Sequence, residues 1–150
     1  MGKILVIYHS QQRGNTKEVA EALADGARAA GANVVLINTN ERRVTLDDLL
    51  NADAVAVGSP DYYGYVAGTI KTFFDDMYIW DKAGQAVTGK PAALFYSHGG
   101  GGTVKQGLEK FGGRFFKLVG ETVERKPTDA GEAAEKCRAL GKELAQKAGQ

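Results

Sequence analysis

Residues 4–16 read Ile4-Leu5-Val6-Ile7-Tyr8-His9-Ser10-Gln11-Gln12-Arg13-Gly14-Asn15-Thr16. The run from Ile4 to Tyr8 is apolar on both faces, which marks a strand covered by helices on each side, as in a parallel sheet. The polar stretch behind it leads straight into a helical pattern, in which Val19, Leu23, Ala27 and Ala30 share one face and Asn15 with Glu18 resembles a capping pair. Strand, short polar loop and amphipathic helix make one β-α unit, and the chain repeats it. Runs of the same kind follow at Val34 to Ile37, Ala54 to Val57 and Ala92 to Tyr96, with a weaker one at Phe115 to Val119. Among the helical patterns, Ile70, Phe73, Phe74 and Met77 form the clearest stripe, at i, i+3, i+4 and i+7. Val104, Leu108 and Phe111 mark another helix, and Ala133, Cys137, Leu140 and Leu144 the last, opened by Asp129 and Glu132. Thr45 to Asp48 caps a short helix around Leu49 and Leu50, and the longest connection runs from Tyr78 to Lys90, carrying the only Trp, Trp80.

Strict β-α alternation with short connections predicts a doubly wound α/β fold, because right-handed crossovers place helices on both faces of the sheet. Five strands give the order 2-1-3-4-5. At 150 residues the chain is expected to form one domain over residues 1–150.

Composition narrows the function classes. Lys plus Arg number 19 against 18 Asp plus Glu, so the net charge of +1 gives no electrostatic case for nucleic acid or an anionic membrane. Cys137 is the only cysteine, which excludes an internal disulfide, a CxxC redox pair and a cysteine-based metal site, and fits a reducing cytoplasm. No stretch approaches the roughly 20 apolar residues that cross a bilayer. The Ile4 to Tyr8 run is too short for a signal-peptide core, and Val6 stands where a myristoylation motif needs Ser or Thr.

In an open α/β sheet, ligands sit beyond the carboxyl ends of the strands where strand order reverses, here between strands 1 and 3. The loops leaving strands 1, 3 and 4 are therefore read together. Ser10 to Thr16 combines short hydroxyl residues with a Gly at a helix start, which suits either a capped turn or an anion held by backbone N–H groups. It is neither a P-loop nor a G-x-G-x-x-G turn. Ser59-Pro60-Asp61-Tyr62-Tyr63-Gly64-Tyr65-Val66-Ala67-Gly68 puts three tyrosines within four residues of a surface loop. They serve a protein interface, where Tyr is enriched, or, more sharply, a planar aromatic ligand. Ser97-His98-Gly99-Gly100-Gly101-Gly102-Thr103 carries four consecutive glycines, whose entropic cost is best explained by close approach of backbone to a flat ligand edge.

Other chemistries fail on residues. A phosphoreceiver domain needs acidic residues after strand 1 and at the end of strand 3, where His9-Ser10 and Gly58-Ser59 stand. A serine hydrolase needs G-x-S-x-G around Ser59, and the sequence is Val57-Gly58-Ser59-Pro60-Asp61. His9 and His98 end strands separated by a third, about 10 Å apart at the usual strand spacing, so they do not share a metal ion.

Taken together, Ser10 to Thr16, the stretch Ser59 to Gly64 continuing through Gly68 to Asp75, and the Gly-rich third loop resemble the flavodoxin superfamily. The likeness is nearest to its WrbA-like and FMN-reductase-like branch and covers nearly the whole chain. It implies FMN as cofactor, with Ser10, Gln12, Gly14, Asn15 and Thr16 cradling the phosphate. Pro60, Asp61, Tyr62, Tyr63 and Gly64 would then flank the isoalloxazine ring, and Ser97, His98, Gly99 and Gly102 would line its pyrimidine side. The first loop is one residue longer than in the WrbA branch, and the chain lacks that branch's long insertions and the acidic balance of low-potential flavodoxins.

The implied function is electron transfer to a redox partner protein or a small quinone-like acceptor. The alternative is a WrbA-like NAD(P)H-dependent oxidoreductase, and a third class is a non-enzymatic module for another phosphorylated aromatic ligand. Five short β-α units leave little from which to build a nicotinamide pocket, which favours the carrier. Near-neutral charge predicts a less extreme low potential than an acidic surface gives, and a protonated His98 at the pyrimidine edge would act in the same direction.

Overall fold

The computed structural model describes residues 2–11 and 14–150. Strands β1 (Lys3–Tyr8), β2 (Asn33–Asn38), β3 (Ala54–Pro60), β4 (Pro91–Ser97), β5 (Lys117–Leu118) and β6 (Val123–Arg125) form one parallel sheet. The order is β2-β1-β3-β4-β5, with β6 also paired to β4. This is the expected topology, with one correction at its edge. Phe115 belongs to a helix, and the fifth position is held by two short strands instead of one run to Val119. Gly120, at φ 66, turns the chain between them in the left-handed region, which an extended strand cannot contain.

Helices α1 (Asn15–Ala29), α2 (Leu46–Leu50), α3 (Gly68–Lys82), α4 (Val104–Phe115) and α5 (Ala130–Ala148) cover both faces. Strand side chains alternate between two cores. Leu5, Ile7, Val55, Val57, Leu94 and Tyr96 pack with Ile70, Phe73, Phe74, Met77 and Leu108 of α3 and α4. Ile4, Val6, Ala54, Ala56, Ala93 and Phe95 pack with Val19 and Leu23 of α1 and with Cys137, Leu140 and Leu144 of α5. The helical stripes expected at Ile70 to Met77 and Ala133 to Leu144 are buried as their periodicity requires.

Two local expectations change and one holds. Helix α1 has Gly14 as N-cap, at φ 67, with no side chain capping it, so Asn15 and Glu18 are not a capping pair. The Thr45–Asp48 capping box is present in both directions. Tyr78 to Lys82 is the last turn of α3, carried on by the half-buried Trp80, so the connection to β4 starts only at Ala83.

Register sets where the loops emerge. Tyr8 lies beside both Asn38 and Gly58, Pro60 beside Ser97, and Ser97 beside Arg125. The carboxyl ends of β1, β3 and β4 are thereby brought level at the switch point.

Candidate functional site

A cavity of about 500 Å³ opens at that switch point. Among the described residues, the first loop lines it with Ser10, Gln11, Gly14, Asn15 and Thr16, the second with Pro60, Asp61 and Tyr62, and the third with Ser97, His98 and Gly99. All three loops singled out in the sequence therefore meet at one place. Gln12 lies outside the described residues. Tyr63, Gly64 and Gly102 are not part of the lining, whereas Gln11, not among the residues expected there, is.

The first loop is pinned from β2. Asn38 accepts the Ser10 N–H on Oδ1 and donates Nδ2–H to the Ser10 carbonyl, both at 3.1 Å. Ser10 Oγ accepts the Lys17 N–H at 3.3 Å, and Thr16 Oγ1 meets Ser97 Oγ at 2.8 Å, joining the start of α1 to the end of β4. Gly14 at the N-cap brings no capping side chain and Ser10 Oγ takes only the Lys17 N–H, so the Asn15 and Thr16 amides, in residues that line the cavity, have no partner among the described residues. Backbone amides at the positive end of a helix suit an anion.

The second loop is a two-residue hairpin. Tyr62 and Tyr65 exchange both backbone bonds, at 3.0 and 3.1 Å, around Tyr63 at φ 57 and Gly64 at φ 78. The turn needs left-handed backbone at both central positions, which suits Gly64 and strains Tyr63. It also throws the Tyr63 ring fully into solvent, at 107% exposure. Tyr62 turns the other way: its hydroxyl donates to Gln11 Oε1 at 2.7 Å across the cavity, and burial raises its pKa. Asp61 is a brace within the loop system. Its Oδ1 accepts the Gly64 N–H at 2.6 Å and its Oδ2 the Val104 N–H at 3.2 Å at the start of α4.

His9 supports Tyr62, meeting its ring edge-on at a centroid distance of 5.6 Å. Proton counting fixes the direction of the bonds that hold this buried residue. Thr39 donates its single hydroxyl proton to the Tyr8 carbonyl at 3.2 Å, so Thr69 donates to Thr39 and His9 Nδ1–H donates to Thr69, each at 2.7 Å. Nε2 is buried with no partner among the described residues.

The third loop hangs on Glu124 of β6. His98 Nε2–H donates to Glu124 Oε2 at 2.9 Å, Tyr96 donates to the same oxygen at 3.0 Å, and His98 Nδ1 accepts the Gly101 N–H at 3.2 Å. Both imidazole nitrogens are thus engaged within the protein. Burial works to raise the Glu124 pKa, but the bonds from Tyr96 and His98 and the nearby Lys126 outweigh it and hold the carboxyl below its ordinary value. Among the described residues, no group of three or more His, Cys, Asp or Glu is arranged to hold a metal ion.

A doubly wound sheet with a backbone anion cradle and an aromatic wall at its switch point defines a binder of a phosphorylated, planar ligand. The flavodoxin family model matches residues 6–148. The chain is 38% identical over 166 residues to a flavodoxin of Aquifex aeolicus, covering 97% of this chain and 86% of that one. It is 31% identical over 123 residues to an NAD(P)H dehydrogenase (quinone) of Cupriavidus metallidurans, covering 67% of this chain and 60% of that protein. In fold it is similar to the WrbA-like flavodoxin of Agrobacterium tumefaciens, with a TM-score of 0.81, 24% identity, and coverage of 100% and 99%. The chain belongs to the flavodoxin family, and its cofactor is FMN. The cavity fits that group: its volume suits a cofactor-sized ligand, its uncapped helix start suits the phosphate, and Tyr62 suits the ring.

Proposed function

We infer that this chain acts as one FMN-binding domain over residues 1–150 that carries electrons between partner proteins, working in a reducing cytoplasm. The observation that carries the reading is the convergence of the uncapped α1 start and the Tyr62 wall in one cavity at the switch point. FMN, when bound, supplies reversible electron uptake and release; the chain supplies position and environment. Ser10, Gly14, Asn15 and Thr16 hold the phosphate, with Gln12 expected beside them. Pro60 and Tyr62 flank the ring, and Ser97, His98 and Gly99 lie along its pyrimidine edge. Asp61, Gly64 and Gly102 act through the backbone of their loops.

The test is a titration of cofactor-free protein with FMN and riboflavin. Binding near one to one with a clear preference for FMN is expected, because riboflavin lacks the group the cradle is built for. Ser10→Ala and Thr16→Ala each remove a hydroxyl beside that charge, expected to cost roughly 1.5 to 3 kcal/mol where the hydroxyl bonds the phosphate. Equal affinity for FMN and riboflavin overturns the reading.

A second reading, direct reduction by NAD(P)H followed by transfer to a quinone, is favoured by the likeness to the quinone dehydrogenases. The chain spans 60% of the length of that relative. Anaerobic mixing of FMN-loaded protein with excess NADH or NADPH and then a quinone separates the two. Bleaching within seconds and turnover on quinone addition establishes the enzyme; no bleaching with either nucleotide, but ready reduction by a flavoprotein reductase, establishes the carrier.

A further inference from the structure

We propose that the outer face of α3 and α4 is the docking surface for an acidic redox protein. The proposal rests on the carrier reading and adds to it the partner's chemistry and where it sits.

The groove between these helices has a cavity volume of about 540 Å³ and an aromatic floor of Phe74, Phe111 and Phe115. Phe74 stacks on Phe111 and on Phe115 at centroid distances of 5.2 and 6.3 Å. Tyr78, which lines the groove, is 50% exposed, and the next residue of α3, Ile79, is 60% exposed. The rim is cationic and ordered by the rings. Lys71 lies over Phe111, Lys82 over Tyr78 and Arg114 over Phe115, at 5.6, 5.5 and 4.9 Å from the centroids. Lys110 lines the groove as well.

Charge selects the occupant. Asp75 is paired with Lys71, and Asp81 stands 3.9 Å from Arg114. Lys82 and Lys110 have no acidic partner among the described residues, which leaves two uncompensated positive charges beside the apolar groove. A second copy would bring the same lysines towards each other, whereas a partner with an apolar centre and carboxylates around it matches both features.

The face is continuous with the cofactor site. Tyr65 packs edge-on against Phe111 at 6.1 Å and lies over Gly107, where a Cβ would come within 3.0 Å of its ring. The hairpin whose Tyr62 walls the cavity thus stands on α4 through Tyr65, whose ring meets Phe111 of the groove floor. A protein seated on the groove meets the cofactor's wall.

The experiment uses FMN-loaded protein of measured flavin content, an acidic two-iron ferredoxin as partner and a basic c-type cytochrome as counter-probe. Amide shifts of labelled protein on titration with ferredoxin are expected on residues 71–82 and 107–115, and to fade between about 20 and 500 mM salt as screening removes the attraction. Electron transfer from reduced ferredoxin is expected to slow roughly tenfold or more in the Lys82→Glu/Lys110→Glu double variant at low salt. Both lysines are exposed and away from the cavity, so flavin content should stay at the wild-type value. Shifts elsewhere, a rate indifferent to the double variant, or faster exchange with the cytochrome overturns the proposal. So does a dimer in sedimentation that Ile79→Asp dissolves, since the face would then belong to a second copy. Failure to bind FMN defeats the carrier reading alone, because the shift map can be run on the flavin-free protein.

Discussion

At the scale of single residues, neighbours in sequence have opposite duties. Tyr62 and Tyr63 are adjacent in the same loop, yet one lines the cavity and the other stands in water. Tyr62→Ala is expected to weaken FMN binding about tenfold, since ring stacking adds roughly 0.5 to 1.5 kcal/mol to the area lost. Tyr63→Ala should leave affinity within about twofold; flavin fluorescence titrations check both. Tyr63 also carries backbone strain. Asn tolerates left-handed backbone, and Asn-Gly is the preferred pair for this turn, so Tyr63→Asn is expected to stabilise the fold by about 1 kcal/mol in thermal denaturation. Cys137 has a different fate: burial pushes its thiol up to about 12, so it holds almost no thiolate at neutral pH. A disulfide reagent is expected to label nothing in the native protein and one thiol per chain in urea. The sequence showed the tyrosine cluster and the apolar setting of Cys137. It could not show which ring turns inward, because that depends on a hairpin twist and on Gln11, 51 residues away.

At the scale of elements, the helices and central strands were legible because each has a clear period and sits between turn residues. What escaped was everything set by a distant partner. β6 is three residues, Val123–Arg125, with two of them charged, and is a strand only because β4 offers it a ladder and Glu18 meets Arg125. Its Glu124 holds the glycine loop through His98, a link with no local signal. Since the Glu124 pKa is lower folded than unfolded, its contribution is complete above the ordinary value of 4.5 and is lost as pH falls through the folded pKa. The difference in Tm between wild type and Glu124→Gln is therefore expected to stay level above about pH 5 and to close under acid. The α1–α5 contact gives a second expectation, against helix propensity. Ala ordinarily improves on Gly in a helix by roughly 1 kcal/mol. A Cβ at Gly26 would overlap the Arg138 carbonyl, and one at Gly141 the Leu23 carbonyl, so the two backbones touch. Gly26→Ala and Gly141→Ala are each expected to destabilise by about 1 to 3 kcal/mol in denaturant titration, through helices forced apart.

At the scale of the whole molecule, the fold collects three loops from three strands and gives each its own support: Asn38 for the first, Asp61 for the second, Glu124 for the third. The loops were readable because their residues are unusual; the supports were not, because Asn, Asp and Glu at strand ends and in loops have many ordinary uses. The α1–α5 contact has a further consequence, for how the chain is made. Helix α5 covers Ile4, Val6, Ala93 and Phe95 together with the apolar side of α1, and it is translated after all of them. At ribosomal rates of roughly 5 to 20 residues per second, on the order of ten seconds separate the appearance of α1 from that of α5. Throughout that interval α1 is the only lid on that face of the growing sheet, so a chain that stops short of α5 is expected to leave apolar surface open and to aggregate.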